Sequence, residues 1–390
     1  MEIREGFIRN DIGIIPKDWE IKNIGSICEI YGRIGYRGYT IKDIMPQGEG
    51  AITISPSKIQ DGKMNFSKCT YISWFKYDES PEIKIYNGDI LLVKTGSTFG
   101  KTAIIKNLFE KATINPQLVV LKNIKVDNIF LGYIMAYKIV QNQIKSTIVG
   151  GAIPTLSQQL VANYKVPLPP SKLEQNAISK ALSDADALIN TLEKIITKKK
   201  NIKQGAMHQL LKPKKGWIEI KLGDIAEIYQ PETISQNDMK NDGYFVYGAN
   251  GIVGYFNKFN HETWQTIITC RGSTCGTINK TNGKAWITGN AMVMNVDKNS
   301  KIDKSFFYYL LTGQDFTNCI TGSGQPQIVR KPLFEFKVSI PSKIDEQKNI
   351  ATILSDIDEE IALLENKLSK NKLIKQGMMQ NLLTGKIRLV

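Results

Sequence analysis

A 38-residue stretch, EQNAISKALSDADALINTLEKIITKKKNIKQGAMHQLL (Glu174 to Leu211), recurs without a gap 172 positions later, and 19 of the 38 paired positions are identical. The second copy, EQKNIATILSDIDEEIALLENKLSKNKLIKQGMMQNLL, runs from Glu346 to Leu383. Neither copy contains proline. Apolar residues return every three or four positions, at Ile178, Leu182, Ala185, Ile189, Leu192 and Ile196 in one and at Ile350, Leu354, Ile357, Ile361, Leu364 and Leu368 in the other. That is a heptad pattern, so each copy is expected to form one long helix with an apolar seam. The seam lapses at Lys199 and Lys203, matched by Asn371 and Lys375, and resumes at Leu210 and Leu382. Each helix would reach ~57 Å at 1.5 Å per residue.

Two such seams bury each other most economically, and the connection between them favours an antiparallel pair. In that arrangement the intervening segment leaves and returns at one end, whereas parallel helices would force it to recross the whole rod. Charge agrees. The leading halves carry Asp184, Asp186 and Glu193, or Asp356, Asp358, Glu359, Glu360 and Glu365, and the trailing halves carry Lys198, Lys199, Lys200 and Lys203, or Lys370, Lys372 and Lys375. Antiparallel pairing sets acid against base, and the same order suits each helix dipole.

The 390 residues suffice for two or three domains with substantial cores, and 42% apolar content is ordinary for a globular chain. No run of 18 apolar residues exists, and the opening MEIREGFIRND lacks the apolar centre of a signal peptide, so a cytoplasmic protein without a membrane partner is expected. Five cysteines (Cys28, Cys69, Cys270, Cys275, Cys319) form no CxxC pair, and only His208 and His261 could join them at a metal. Neither structural zinc nor disulfides are expected. The net charge of +14 favours a polyanionic partner. Residues 1–168 and 169–215 carry +6 each, while 216–337 and 338–390 carry +1 each.

Residues 1–168 read as a mixed α/β domain. IKIYNGDILLVK and QLVVLKNIKV suggest strands, and NIFLGYIMAYKIVQNQI a helix. Pro167 to Pro170 close the domain, helix-bearing residues 169–215 follow, and KPKKGW links them to a second domain, 216–337. VSIPSKI then introduces the last helical segment, 338–390. The globular parts repeat more faintly. WEIKNIGSICEIY from Trp19 matches WIEIKLGDIAEIY from Trp217, GSTFG (Gly96 to Gly100) matches GSTCG (Gly272 to Gly276), and Asn115 aligns with Asn290. Phe130 to Tyr133 align with Phe306 to Tyr309, and Gly150 and Pro154 with Gly322 and Pro326. The offset falls from 198 through about 176 to 172, as one fold with altered loops would require. IPKDW at the start occupies the place that KPKKGW takes after the first helix, so the N-terminal segment belongs beside LLTGKIRLV and the chain is expected to be cyclically pseudo-symmetric, with one globular domain at each end of the rod.

Catalytic motifs are missing. GSTFGKT has three residues between its glycines where a phosphate-binding loop needs four, and its repeat, GSTCGT, lacks the lysine. Pro81-Glu82-Ile83-Lys84 faintly suggests a nuclease, yet only Asp61 could serve as its upstream acid. Asn115-Pro116-Gln117-Leu118 departs at two of four positions from the Asn/Asp-Pro-Pro-aromatic motif of adenine methyltransferases. With two histidines and no nucleophile paired to a base, hydrolysis has no candidate either.

Two similar domains on a duplicated helical spacer, in a basic chain without catalytic equipment, describe a bipartite reader. Here the sequence resembles the specificity (S) subunit of type I restriction-modification systems, over nearly its whole length. The likeness rests on the domain-closing proline followed by Glu-Gln and a long helix, the KQGxMxxLL endings at Lys203 to Leu211 and Lys375 to Leu383, the openings at Trp19 and Trp217, and YGANGIVGY at Tyr247 to Tyr255. The resemblance implies α/β target recognition domains, each reading half of a split sequence in double-stranded DNA. It also implies two long helices packed as an antiparallel coiled coil, serving as a ruler and as the docking surface for two modification (M) subunits. Those would supply S-adenosylmethionine and adenine-N6 methylation, and a restriction (R) subunit would add ATP- and Mg-dependent cleavage; this chain would hold no cofactor. The ~57 Å helix length corresponds to about 17 base pairs at roughly 3.4 Å each.

Base reading needs polar or basic side chains on loops that enter a groove. The candidates are Arg33, Tyr36, Arg37, Lys94, Thr95, Ser97, Thr98 and Lys101 in the first domain, and Tyr247, Asn250, Arg271, Ser273, Thr274, Gln325 and Gln327 in the second. Turn geometry explains the glycines of these loops equally well, and core packing explains Tyr247. The competing readings are a self-contained methyltransferase or nuclease, and a coiled-coil adaptor whose charge serves only solubility.

Overall fold

Both repeated stretches form unbroken helices, Lys172–Leu210 and Ile344–Leu382, of 39 residues each. The structure is a computed structural model that describes residues 5–60, 62–147, 155–248, 250–322 and 326–389. It divides into two units, Met1–Thr191 with Leu368–Val390, and Leu192–Lys367. The units cut across the helices: each combines one globular module, the leading half of the helix that follows it, and the trailing half of the other helix. This composition is the cyclic order expected from the repeats.

Within each unit the helix halves run antiparallel. In the first, Asp186 pairs with Lys375 at 2.7 Å, and Glu174 meets Arg388 just beyond the second helix. In the second, Lys199 pairs with Glu360 and Lys203 with Asp358, at 2.7 and 2.6 Å. Residue numbers rise along one helix as they fall along its neighbour. The seam turns inward: Ile178, Leu182, Ile189, Leu192, Ile196, Ile350, Leu354, Ile361 and Leu382 are buried, and Ala185, Leu210, Ile357, Leu364 and Leu368 are half-buried.

A four-stranded antiparallel sheet anchors each module, and the strand order is the same in both. In the first it runs Thr102–Ile104, Ile90–Val93, Leu118–Lys122, Glu29–Gly32; in the second Ile278–Lys280, Thr266–Thr269, Ala291–Asn295, Glu227–Tyr229. The central strands are buried on both faces, which is why they read as continuous apolar runs. Ile90, Leu92, Val119 and Leu121 face the core shared with the helices, while Leu91, Val93, Leu118 and Val120 face a second sheet. That second sheet has five strands in the first module and three in the second. The difference accounts for the fall in repeat offset from 198 to about 176.

The opening and closing motifs find one explanation. Glu20–Asn23 pairs antiparallel with Lys165–Leu168, and Trp217–Lys221 with Lys337–Pro341, so each module is zipped shut where it joins a helix. The Glu-Gln signature completes the joint. Gln175 Oε1 accepts from the Asp127 amide at 3.0 Å while its Nε2 donates to the Pro169 carbonyl at 3.0 Å. Gln347 repeats both bonds, with Asp303 at 2.9 Å and Pro341 at 3.0 Å. Both glutamines are almost fully buried, so removing the Gln175 side chain strands two backbone groups, and removing that of Gln347, which also donates to the Lys301 carbonyl at 3.1 Å, strands three. Gln175→Ala and Gln347→Ala are each expected to cost about 1–3 kcal/mol in urea unfolding, each confined to its own unit.

One expected helix is broken. Asn128–Ala136 and Lys138–Lys145 are separated by Tyr137, whose backbone is extended. Gln141 makes the break tolerable: its Nε2 donates to the Met135 carbonyl at 2.8 Å and to the Gly100 carbonyl at 3.0 Å. Gly150, Pro154 and Asp61 lie outside the described residues.

Candidate nucleic-acid interface

The paired sequences GSTFG and GSTCG fold into the same hairpin tip. Phe99 N donates to Gly96 O, Gly100 N to Val93 O and Lys101 N to Thr98 O; in the second module Cys275 N donates to Gly272 O, Gly276 N to Thr269 O and Thr277 N to Thr274 O. Gly96 and Gly100 have φ of 96° and 81°, and Gly272 and Gly276 of 84° and 93°, a region that excludes most side chains. Turn geometry therefore fixes these glycines. The residues between them are free to differ.

In the first module three loops converge. Arg33 is 5% exposed, and its three nitrogens donate to Ile114 O, Arg37 O and Thr113 Oγ1 at 3.1–3.2 Å. Burial holds its guanidinium below the ordinary arginine pKa. Arg33 is thus internal scaffolding and not a groove-facing side chain, because its donors are taken up in tying the loop to strand Ala112–Ile114. That strand runs into Asn115-Pro116-Gln117, and Gln117 O accepts from Lys94 N at 2.8 Å. Tyr36 is 80% exposed, with the Arg37 guanidinium 5.6 Å from its ring centre and 3.5 Å from Glu82. Ser97 and Lys101 are exposed, and Lys94, Thr95 and Thr98 are half-buried. Burial alone pulls the Lys94 ammonium below the usual lysine range, a cost that an adjacent phosphate would offset.

In the second module Arg271 and Ser273 are exposed and Thr274 is half-buried. The backbone of Arg271 bridges to Gln327, and Gly272 N donates to Pro326 O at 3.1 Å, which joins this hairpin to the segment after Gly322. Gln325 lies outside the described residues. Asn250 is exposed at the tip of another hairpin, Tyr244–Gly248 with Gly251–Phe256. Tyr247 is 5% exposed and its hydroxyl accepts from the Asn282 amide at 3.0 Å, so it is core.

Asn115 and Gln117, absent from the groove-facing candidates, buttress the first hairpin. Asn115 Oδ1 accepts from the Gln117 amide at 2.9 Å, and Gln117 Nε2 lies 3.4 Å from where a Cβ on Gly96 would stand. In the second module Asn290 O accepts from Cys270 Sγ beside the matching hairpin. Recurrence of the asparagine at the same step of both repeats was the available signal. Among the described residues no group of three or more His, Cys, Asp or Glu could hold a metal ion, and no helix is long and apolar enough to cross a membrane.

Two modules of one topology, each presenting a glycine-bounded polar hairpin and each rooted in a long helix, give the chain a tandem architecture. The type I restriction modification DNA specificity domain matches residues 16–204 and 214–373, and the chain belongs to that family. It is a type I restriction-modification specificity subunit and not itself an enzyme. It is 28% identical over 426 residues to the type I restriction enzyme MjaVIII specificity subunit of Methanocaldococcus jannaschii, covering 96% of this chain and 94% of that one. A second relative from that organism, the putative MjaX specificity subunit, is also 28% identical, over 99% of this chain and 97% of its own length. A crystal structure of the type I restriction-modification S subunit from M. genitalium shares the fold, with a TM-score of 0.66 at 17% identity and 98% of both chains covered.

Proposed function

We propose that this subunit reads an asymmetric, bipartite sequence in double-stranded DNA, with residues 1–168 and 216–337 as target recognition domains and 169–215 and 338–390 as helical segments that dock partners. The observation that carries this reading is a shared hairpin geometry whose side chains differ at three of the five candidate positions: Lys94, Thr95 and Lys101 on one stand where Cys270, Arg271 and Thr277 stand on the other, while Ser97 and Thr98 match Ser273 and Thr274. One scaffold in two copies suits two half-sites. Different side chains on it make the half-sites differ.

Partner docking is supported by apolar residues that the helix pair leaves outside. Leu188, Ile195 and Ile202 follow one another at seven-residue spacing and are all exposed, as are Leu363 and Leu373. Two M subunits seated there would supply S-adenosylmethionine and methylate adenine N6, and an R subunit carrying ATP and Mg would add cleavage. Mapping N6-methyladenine in the native cell and in a strain lacking this chain tests the reading. One split, non-palindromic motif should lose its methylation; an unchanged methylation map would refute it.

A further inference from the structure

The first unit contains a cavity of about 420 Å3 between strand Thr102–Ile104, helix Asn128–Ala136 and the two long helices. Its apolar wall includes Ile104, Gly132, Ala136, Ala187 and Met379. The repeat shows what keeps it open. Ile104 corresponds to Lys280 and Gly132 to Tyr308, and the Lys280 ammonium lies 5.9 Å from the Tyr308 ring centre and 4.2 Å from that of Trp264. Those long side chains stand where the first unit has Ile104 and a glycine. Nothing in the backbone demands that glycine: a Cβ on Gly132 would make only ordinary contacts, at 3.6 Å from Ile104 Cβ, and its φ is not positive.

The polar part of the wall is unbalanced. Lys63, Lys106 and Lys375 line it, among the described residues, against one carboxylate, Asp186, which already accepts from Lys375 and from the Tyr133 hydroxyl. Among the described residues Lys63 bonds only the neutral Asn190 side chain, and Lys106 has no ion pair. An apolar cleft with surplus positive charge at its edge is a site for a molecule with matching halves.

We propose that this cavity binds a small amphipathic organic anion, a ring-bearing apolar body that carries a carboxylate, sulfonate or phosphate. The apolar body lies against Ile104 and Met379 in the space left by Gly132, and the acid group faces Lys63 and Lys106.

8-Anilinonaphthalene-1-sulfonate is a suitable probe, because its fluorescence reports its own burial. In the full chain it should bind one-to-one and shift the methyl resonances of Ile104 and Met379. Gly132→Tyr, which installs the second repeat's filler, should weaken this binding at least about tenfold. Lys63→Ala with Lys106→Ala, or replacement of the probe by uncharged N-phenyl-1-naphthylamine, should weaken it about two- to fivefold. Equal affinity of the two probes overturns the anionic assignment, and unchanged binding to Gly132→Tyr overturns the site. Should that variant fail to fold, the methyl titration of the unaltered chain decides: a probe that shifts other methyls and leaves Ile104 and Met379 unmoved refutes the proposal.

Discussion

On the function proposed above, Arg271→Ala, assayed in the subunit assembled with the proposed methylating partners, is expected to weaken binding to the proposed DNA target by about 10- to 100-fold at fixed salt. The loss should fall on one half of the target only. The reasoning is geometric: the Arg271 backbone is held by its bridge to Gln327 and by the adjoining bond from Gly272 to Pro326, while its side chain is exposed. A fixed backbone under an uncommitted guanidinium is the arrangement that bidentate reading of guanine needs. Lys101→Ala should behave differently, because a lone exposed ammonium on the matching hairpin suits a phosphate. It is expected to weaken binding to all sequences alike and to reduce the salt slope by about one. Gel-shift titrations against a target duplex and a duplex altered in each half separate the two outcomes. Equal losses on every duplex for Arg271→Ala would remove it from base reading.

Asp186→Ala should be the more damaging of the two matched aspartate changes on the helix pair, at about 2–3 kcal/mol, or roughly 4–10 °C in the melting temperature of the first unit. The carboxylate accepts from Tyr133 Oη at 2.7 Å and from Lys375 Nζ at 2.7 Å, and Lys375 also lies 5.5 Å from the Tyr133 ring centre. Burial, reinforced by the aspartate, pushes the Tyr133 phenol far above its ordinary pKa, so it remains a donor throughout the physiological range. The second unit holds the same triad with the helices exchanged: Asp358 accepts from Tyr309 at 2.8 Å and pairs with Lys203 at 2.6 Å. Asp358→Ala should cost less, about 1 kcal/mol, because its side chain is 37% exposed where that of Asp186 is 23% exposed, and water screens the vacancy. Calorimetric scans of both variants test the ranking, and a larger loss from Asp358→Ala would contradict it.

The helices were legible because a seam is a matter of spacing: Ile178, Leu182 and Ile189 announce their shared face without reference to the rest of the chain. The module joints were legible as recurrence, in Trp19 and Trp217 or Gln175 and Gln347, although the bonds those residues make were not. Arg33 shows the limit. An arginine in a glycine-rich loop reads as a ligand-facing cation, and only coordinates reveal that Thr113 and Ile114, some 80 positions away, take up its donors. The break at Tyr137 escaped for a similar reason, since the group that compensates it, Gln141, acts through a side chain that periodicity does not weigh. The five-stranded sheet was visible only as a change in repeat offset, because strands of two or three residues such as Ile44–Met45 and Lys84–Ile85 are shorter than any alternation that could announce them.

The first unit's core contains Leu382 and Leu383 beside Trp19, and Arg388 bonds both Glu174 and Asp18. The ribosome therefore finishes the earliest module last: at about 5–20 residues per second, the nearly 200 positions after Thr191 impose a wait of roughly 10–40 s before the closing segment emerges. During that interval the later-made unit can already be complete while the earlier one stands open. A nonsense codon just before Leu382 would thus strike the unit built mainly from residues 1–191.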